Sequence, residues 1–378
     1  MQDENRWNDV EPDSSSLDHQ LSHLRDRIDS LDEEILLRLN ERAKLVQQIG
    51  EIKDHFESDI YIPSREKAIF ARLEGINTGP LPDEAVYAIF REVISACRAL
   101  ESEMTIAYLG SEGSYHHAVA QRHFGRSARF IPVPTISAIF DEVEHRRAHF
   151  GVVAIENSIE GMVGETLDRI THAQVQVVGE AFLPITHNLI SQSELHQIDK
   201  VYSHPQALAQ CRRWLESNLP GVRVIDTAST VLGVKYCRDD PRAAAISSDL
   251  AAELYDLPIL VRGLEDYAGN TTRFFVIGKS LSLPTADDKT SLVVFVRDRV
   301  GALYTMLEPF KRFGISITNI VSRPVKQEAW QYMFFLELKG HVQDPNVTQA
   351  LQEIEKNSLY VKILGSYPRS PTSTVQAK

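Results

Sequence analysis

Apolar residues recur at helical spacing along the first hundred positions. Leu17, Leu21, Leu24, Ile28, Leu31 and Ile35 step by 4, 3, 4, 3 and 4, a coiled-coil-like stripe. The register resumes at Leu45, Ile49 and Ile52, with Arg38 and Arg42 at the intervening positions. Ser15 and Ser16 offer an N-cap, and no proline interrupts between Leu17 and Pro63. One helix is therefore predicted from about residue 17 to the mid-fifties. At about 1.5 Å per residue it spans about 60 Å, too long to close a compact core alone, so its stripe calls for a partner chain. A second helix is predicted from Ser64, as N-cap, to about Glu74, followed by the loop GINTGPLPD. A third carries Val86, Phe90, Val93, Cys97 and Leu100, with Glu101 one turn beyond Cys97.

At Met104 the pattern changes to strands alternating with helices. MTIAYLG leads through a Gly-rich turn into HHAVAQRHFG; FGVVAIEN, QVQVVGEAFL, ITHNLIS and KVYSHPQ follow, the last running into a helix ALAQCRRWLES. Then come VRVIDT, AAAIS with the helix SDLAAELYDL, and TRFFVIG. Such alternation predicts an α/β sheet fold with ligands at strand carboxyl ends. A polar linker is expected over 282–289. Beyond it SLVVFVRD, GALYTMLEPFKRFG, ITNIVSRP, YMFFLELKG, VTQALQEIEKN and VKILGSYP read β-α-β-β-α-β, the ferredoxin-like arrangement. The expected organisation is a mobile N-terminus (1–16), an all-helical module (17–102), an α/β module (104–281), the linker, an α+β module (290–367) and a loose tail (368–378).

Composition narrows the class. The 378 residues are 43% hydrophobic and 24% charged, an ordinary globular mix. Forty Lys+Arg against fifty-two Asp+Glu leave a formal charge of −12, which argues against nucleic-acid or anionic-membrane partners. Cys97, Cys211 and Cys237 form no CxxC pair, so a reducing, cytoplasmic setting is expected. No apolar run approaches the ~18–20 residues of a membrane span, and MQDENRWNDVEPDSSS has no signal-peptide pattern.

An arginine inside an apolar stripe is costly unless an anion meets it, and Arg42 sits there. Periodicity alone fits solvated helix charges equally well. The whole string decides more: LRDRIDSLDEEILLRLNERAKLVQQIGEIK, then IPSRE, then FREVISACRALE resembles the all-helical chorismate mutase domain. The resemblance implies an intertwined dimer of three-helix chains. It places Arg25, Arg42, Lys53, Arg65 and Glu66 in the chorismate site, with Glu101 where the family has Gln or Glu. Cys97 replaces a Ser found in others, and Ile62 stands where some carry Asp. The reaction is an intramolecular rearrangement of a dianion, so holding the reacting ends and stabilising the ether oxygen suffices. Bidentate arginines suit the carboxylates; Lys53 and a donor at Glu101 serve the ether oxygen. Glu101 can donate only when protonated, so turnover should favour lower pH.

The middle module holds no GxGxxG, GxSxG or Walker loop. Leu109-Gly110-Ser111-Glu112-Gly113-Ser114-Tyr115 is a flexible turn at a helix start, suited to a carboxylate. With Ile155-Glu156-Asn157-Ser158, Tyr202-Ser203-His204-Pro205-Gln206 and Asn270-Thr271-Thr272-Arg273-Phe274, it is similar to prephenate dehydratase, a bilobed fold like type 2 periplasmic binding proteins. The resemblance makes Thr272 the proton donor to the departing ring hydroxyl. Ser114, Asn157, Ser158 and Gln206 would bind or polarise prephenate, and Arg273 would meet a carboxylate. Ser111 stands at a usual Pro and His116 at a usual Ser, which makes His116 an alternative donor.

The C-terminal module resembles the ACT domain of these enzymes. Arg299-Val300-Gly301-Ala302-Leu303-Tyr304 fits its Gly-Ala-Leu element, and Val321-Ser322-Arg323-Pro324 its Glu-Ser-Arg-Pro element with Val for Glu. The resemblance implies inhibitory phenylalanine at Gly301, Ala302, Leu303, Asn319, Ser322, Arg323 and Pro324, across a dimer interface. A purely dimerising module is the plainer reading.

His19/His23 and His145/His149 have i, i+4 spacing without a third ligand nearby, so solvated helix histidines are expected, and neither reaction requires a metal or organic cofactor. An amino-acid-binding sensor would not explain the mutase helices. A prephenate dehydrogenase fusion would need a dinucleotide fingerprint. A dehydratase with a non-catalytic, mutase-like dimerisation module is the alternative to a bifunctional enzyme converting chorismate to phenylpyruvate.

Overall fold

A computed structural model describes residues 14–54, 61–324 and 331–370. Most of the expected loose ends, 1–16 and 368–378, lie outside them. Helix α1 (Ser14–Asp54) runs for 41 residues. It is already helical at Ser14, so the expected cap at Ser15 or Ser16 falls inside its first turn. Its stripe stays open: Leu24, Ile28, Leu31 and Ile35 are each more than half exposed. With residues 100–102, α1 belongs to one compact unit; α2 onward forms the other.

In the second unit come α2 (Pro63–Ile76) and α3 (Asp83–Ala99). Ser64 does not cap α2. Ile62 precedes it in extended backbone with no side-chain cap, and Pro63 opens the first turn, where its fixed φ is pre-set and its missing N–H costs nothing.

The α/β module is two lobes. The first is built from β1 (Thr105–Leu109), α4 (Tyr115–Phe124), β2 (Arg129–Val133), α5 (Ile136–Glu144), β3 (Phe150–Asn157), β4 (Gly161–Met162), α6 (Gly164–His172) and β5 (Gln176–Pro184). The second holds β6 (Asn188–Ile190), β7 (Lys200–Ser203), α7 (Pro205–Gln210), α8 (Arg212–Asn218), β8 (Arg223–Asp226), α9 (Thr230–Asp239), β9 (Ala243–Ser247), α10 (Asp249–Leu254) and β10 (Ile259–Val261). The chain then returns to the first lobe as β11 (Thr271–Gly278). The sheets are ordered β2-β1-β3-β11-β5, with β4 on β3, and β10-β6-β9-β7-β8. Strand β11 lies antiparallel between β3 and β5, so its start abuts the end of β3. The helix expected over ALAQCRRWLES is broken at Cys211 into α7 and α8. Strand β7 ends at Ser203, and His204 Nδ1 caps α7 by accepting from Gln206 N at 3.3 Å.

The third module is β12 (Asp288–Arg297), α11 (Ala302–Arg312), β13 (Ile317–Pro324), β14 (Gln331–Lys339), α12 (Pro345–Asn357) and β15 (Tyr360–Pro368). Its antiparallel order β13-β14-β12-β15 is the expected ferredoxin-like one. Strand β12 starts inside the expected linker, because the Asp288 carboxylate accepts from the Thr285 hydroxyl at 2.6 Å and is buried. Residues alternate across the sheet. Leu292, Val294 and Leu336 face the two helices and pack with Phe310 of α11 and Ile354 of α12. Val293, Phe335, Leu364 and Tyr367 join Ile139, Phe140, Leu167 and Phe275 of the first lobe in one continuous core. Strand β15 passes so close to β5 that a Cβ on Gly365 would sit 2.1 Å from the Val177 carbonyl oxygen.

Candidate functional site

In the first unit, Lys53 Nζ donates to Glu101 Oε1 at 2.9 Å, and the Glu101 side chain is only 8% exposed. A Cβ on Gly50 would lie 2.7 Å from Glu101 Cγ, so glycine makes room for that carboxylate. Arg42 Nη1 is buried without a hydrogen-bond partner, a state whose cost an anion relieves. Arg25 is exposed on α1. In the second unit Arg65 is exposed and Cys97 is a buried free thiol. Glu66 is paired with Arg98, whose guanidinium lies 4.9 Å over the Tyr61 ring. Sequence reasoning missed Arg98: it lies inside FREVISACRALE, but its partner Glu66 is 32 residues away and spacing carried no signal of that pairing.

The β3/β11 junction gathers the polar residues of the middle module. Register pairs Thr272 with Asn157. Asn157 Nδ2 donates to Thr272 Oγ1 at 2.9 Å and to Asn270 Oδ1 at 2.8 Å. Its Oδ1 accepts from the backbone N–H of Ile159 and Glu160 at 2.9 and 3.1 Å, which fixes the amide. Because Thr272 Oγ1 accepts from Asn157, its own hydrogen is left to donate elsewhere. Ser158 Oγ accepts from Thr271 N at 3.0 Å, and Gln206 donates to Glu160 from the second lobe. Ser114 caps α4: its hydroxyl accepts from His117 N at 3.2 Å and donates to Leu109 O at 3.3 Å. Gly110 and Gly113 make that turn with φ of 94° and 85°, open to glycine at no steric cost.

Three family matches tile the chain: chorismate mutase type II over residues 24–102, prephenate dehydratase over 106–281 and the ACT domain over 290–356. The bifunctional chorismate mutase/prephenate dehydratase of Aquifex aeolicus is 46% identical, covering 93% of this chain and 98% of that one. The same enzyme of Neisseria gonorrhoeae is 42% identical over 94% and 99%. The chain belongs to the bifunctional chorismate mutase/prephenate dehydratases. It joins a chorismate mutase to a prephenate dehydratase. Among solved structures, the prephenate dehydratase of Arthrobacter aurescens in complex with L-Phe aligns with a TM-score of 0.65 at 33% identity, covering 70% of this chain and 90% of that one.

Within the dehydratase, Arg273 departs from its expected place. Alternation along β11 sends it to the face opposite Thr272. Its Nε donates to Glu180 Oε2 and its Nη1 to Glu337 Oε2, both at 2.9 Å. Lys289 Nζ donates to the same Glu180 oxygen at 2.9 Å. Two cations thus meet two carboxylates between the dehydratase and ACT sheets, and the Arg273 guanidinium is spent there rather than on a substrate carboxylate.

His116 also departs. Its ring meets Phe274 edge-on, centroids 5.2 Å apart, and its Nε2 is buried without a partner. Burial pushes its pKa down to about 4, so the ring is neutral and a poor acid at ordinary pH. His145 and His149 lie beyond the end of α5: His145 Nδ1 meets Asp141 O at 2.8 Å, and His149 Nδ1 accepts from Thr105 N at 3.1 Å. They are not a helical pair.

In the ACT domain Gly301 stands just before α11 with φ of 80°, followed by Ala302 and Leu303. Strand β13 carries Asn319, Ser322 and Pro324, and its fourth candidate is committed elsewhere. Arg323 Nη1 donates to Gly164 O at 3.0 Å and to Asp168 Oδ1 at 3.2 Å, tying β13 to α6. Val321, on the same face, packs against the core shared with the dehydratase, which accounts for an apolar residue where the motif carries Glu. Glu160, Gln210 and Asn270 also line the β3/β11 junction and were missed; Asn270 lay inside a quoted motif, whereas the other two carried no spacing signal.

Proposed function

We propose that Thr272, oriented by Asn157, protonates the departing ring hydroxyl of prephenate. The C–COO⁻ bond breaks, its electrons aromatise the ring, the C–OH bond breaks, and the leaving oxygen takes the Thr272 hydroxyl proton, which a solvent proton then replaces on Oγ1. Carbon dioxide, water and phenylpyruvate result. The observation that carries this reading is the donor pattern at Thr272: its oxygen is already an acceptor, so its hydrogen is the one available. Gln206, Ser158 and the turn at Ser114 supply polar walls for a dianion.

In the mutase, Lys53 and Glu101 serve the ether oxygen, while Arg42 with Arg25, Arg65 and Glu66 holds the carboxylates and hydroxyl; Cys97 lines the wall. The exposed stripe of α1 supports a homodimer whose second chain completes this module. The domain seams fall near residues 103 and 285. Phenylalanine inhibits through Gly301, Ala302, Leu303, Asn319, Ser322 and Pro324; Val300 and Tyr304 beside them are 106% and 75% exposed, an apolar surface that a second ACT domain would cover. The working place is the cytoplasm.

The test supplies chorismate to purified protein and follows prephenate and phenylpyruvate, with and without phenylalanine. Thr272→Ala should let prephenate accumulate at an unchanged mutase rate. Undiminished phenylpyruvate from that variant would reject the donor assignment.

A further inference from the structure

The two dehydratase lobes are joined by two crossings, Ile185 to His187 outward and Gly263 to Asn270 back. They are bound to each other: Ile185 N donates to Asn270 O and Leu264 N to His187 O, both at 2.8 Å, and His187 N donates to Glu265 Oε2 at 2.9 Å. His187 lies on the outward crossing and is 3% exposed. Its Nε2 is 2.8 Å from Gln210 Oε1 and its Nδ1 2.9 Å from the Tyr115 hydroxyl. Gln210 Oε1 also accepts from Asn270 Nδ2 at 3.2 Å. The chain of contacts then runs through Asn157 to Thr272.

We infer that His187 is a positioning residue of the dehydratase, pinning Gln210 of the second lobe against the Asn270–Asn157–Thr272 set of the first. This rests on the reading of Thr272 as donor. Oxygen Oε1 of an amide can only accept, so His187 Nε2 carries the hydrogen, and Nδ1 shares the single Tyr115 hydroxyl hydrogen with Thr186 O, 2.8 Å from that hydroxyl. Burial lowers the His187 pKa and favours the neutral ring. An amide in the middle of the chain cannot pass a proton onward, so His187 is not the acid. What it fixes is geometry: Tyr115 belongs to α4 in the first lobe, Gln210 to α7 in the second, and the imidazole between them holds one against the other at the hinge. Gln206, one turn earlier on α7, is set by the same contact. Asn157 is already fixed by backbone N–H groups, so the lobe-two wall is what His187 controls.

The experiment measures prephenate turnover, mutase turnover and melting temperature for His187→Ala, His187→Gln, Gln210→Ala and the double variant. The inference expects dehydratase kcat to fall at least about tenfold in His187→Ala, with a smaller change in KM and both other readouts unchanged. His187→Gln, which keeps a donor to Gln210, should recover most of it. The double variant should lose no more than either single, as residues acting as one unit do. A His187→Ala kcat within about twofold of wild type, or an equal loss of melting temperature, or no recovery by His187→Gln, would each overturn it. A Thr272→Ala variant run alongside separates the two claims. Its undiminished turnover would remove the donor reading itself, whereas its loss beside a normal His187→Ala removes only the hinge.

Discussion

Arg273 and Glu337 form a two-pronged ion pair, 6% and 1% exposed, that crosses from the dehydratase sheet to the ACT sheet. Burial disfavours the ionised Glu337, but the hydrogen bonds and charge of Arg273, with the charge of Lys289, outweigh it and hold the carboxyl below its usual range. Removing Glu337 leaves Arg273 and Lys289 sharing Glu180, with Glu156 3.5 Å from Arg273, so a buried excess of positive charge remains. Glu337→Ala should cost up to about 3–5 kcal/mol, read as a lowered denaturant midpoint. Because Arg273 adjoins Thr272, dehydratase turnover should fall with it. A stability loss under about 1 kcal/mol would mean that the pair is solvent-relaxed rather than buried.

His123 and His116 set an acid limit. Burial, then the charges of Arg91 and Arg98, push His123 down to about 3, and burial pushes His116 down to about 4. Both are below the ordinary value of 6.5, so the unfolded chain takes up protons that the folded chain refuses. Stability is therefore unaffected above about pH 6.5 and falls as pH drops below it, by up to about 1.4 kcal/mol per pH unit for each refused proton. His123→Gln keeps an acceptor for the Tyr61 hydroxyl, which lies 2.9 Å from Nε2. Its melting temperature should decline less steeply between pH 6.5 and 4.5 than that of wild type; identical slopes would reject the assignment.

Glu101 divides two chemistries. Paired with Lys53 it accepts a hydrogen bond, whereas a bound ether oxygen needs it to donate. Glu101→Gln always carries a donor and should retain mutase turnover while leaving dehydratase turnover alone, whereas Glu101→Ala should lower mutase kcat at least about tenfold. Unchanged mutase kcat in Glu101→Ala would leave Glu101 without a role at the ether oxygen.

Local periodicity made the helical module, the α/β alternation and the ferredoxin-like order legible, because each rests on residues a few positions apart. Thr272 and Asn157 were legible as motifs, and their register as neighbouring strands follows from the sheet. The destination of Arg273 was not, since it depends on how the ACT sheet packs against β11. Arg323 fails for the same reason: its motif is local and its partner Asp168 is not. His187 and Gln210 meet only because two distant crossings fold side by side. The misplaced cap at Ser64 is a local error, where proline geometry outweighed side-chain capping.

Gly365 is where β15 approaches β5, and alanine there would meet the Val177 backbone rather than a movable side chain. Gly365→Ala should cost about 1–3 kcal/mol by overpacking. The loss should fall on the unit that holds α2, α3, the dehydratase and the ACT domain, so mutase and dehydratase turnover should both fail at the same lowered temperature. Mutase turnover surviving to a higher temperature than dehydratase turnover would show that α2 and α3 unfold independently of the strands.

The stripe on α1 gives the last expectation. Leu24, Ile28, Leu31 and Ile35 are more than half exposed, and a contiguous apolar row of that length on an exposed helix face marks an interface. At about 25 cal/mol per Å² of apolar area removed from water, covering such residues is worth kilocalories per chain. Ile28→Lys with Leu31→Lys places two charges in the seam of any pair of α1 helices. Light scattering on the eluted double variant should show a smaller species than wild type. Mutase turnover should collapse, because Arg25 lies in the same stretch of α1 and depends on the same pairing, while dehydratase turnover on supplied prephenate persists. An unchanged mass with full mutase activity would place the interface elsewhere on the chain and leave the α1 stripe without an occupant.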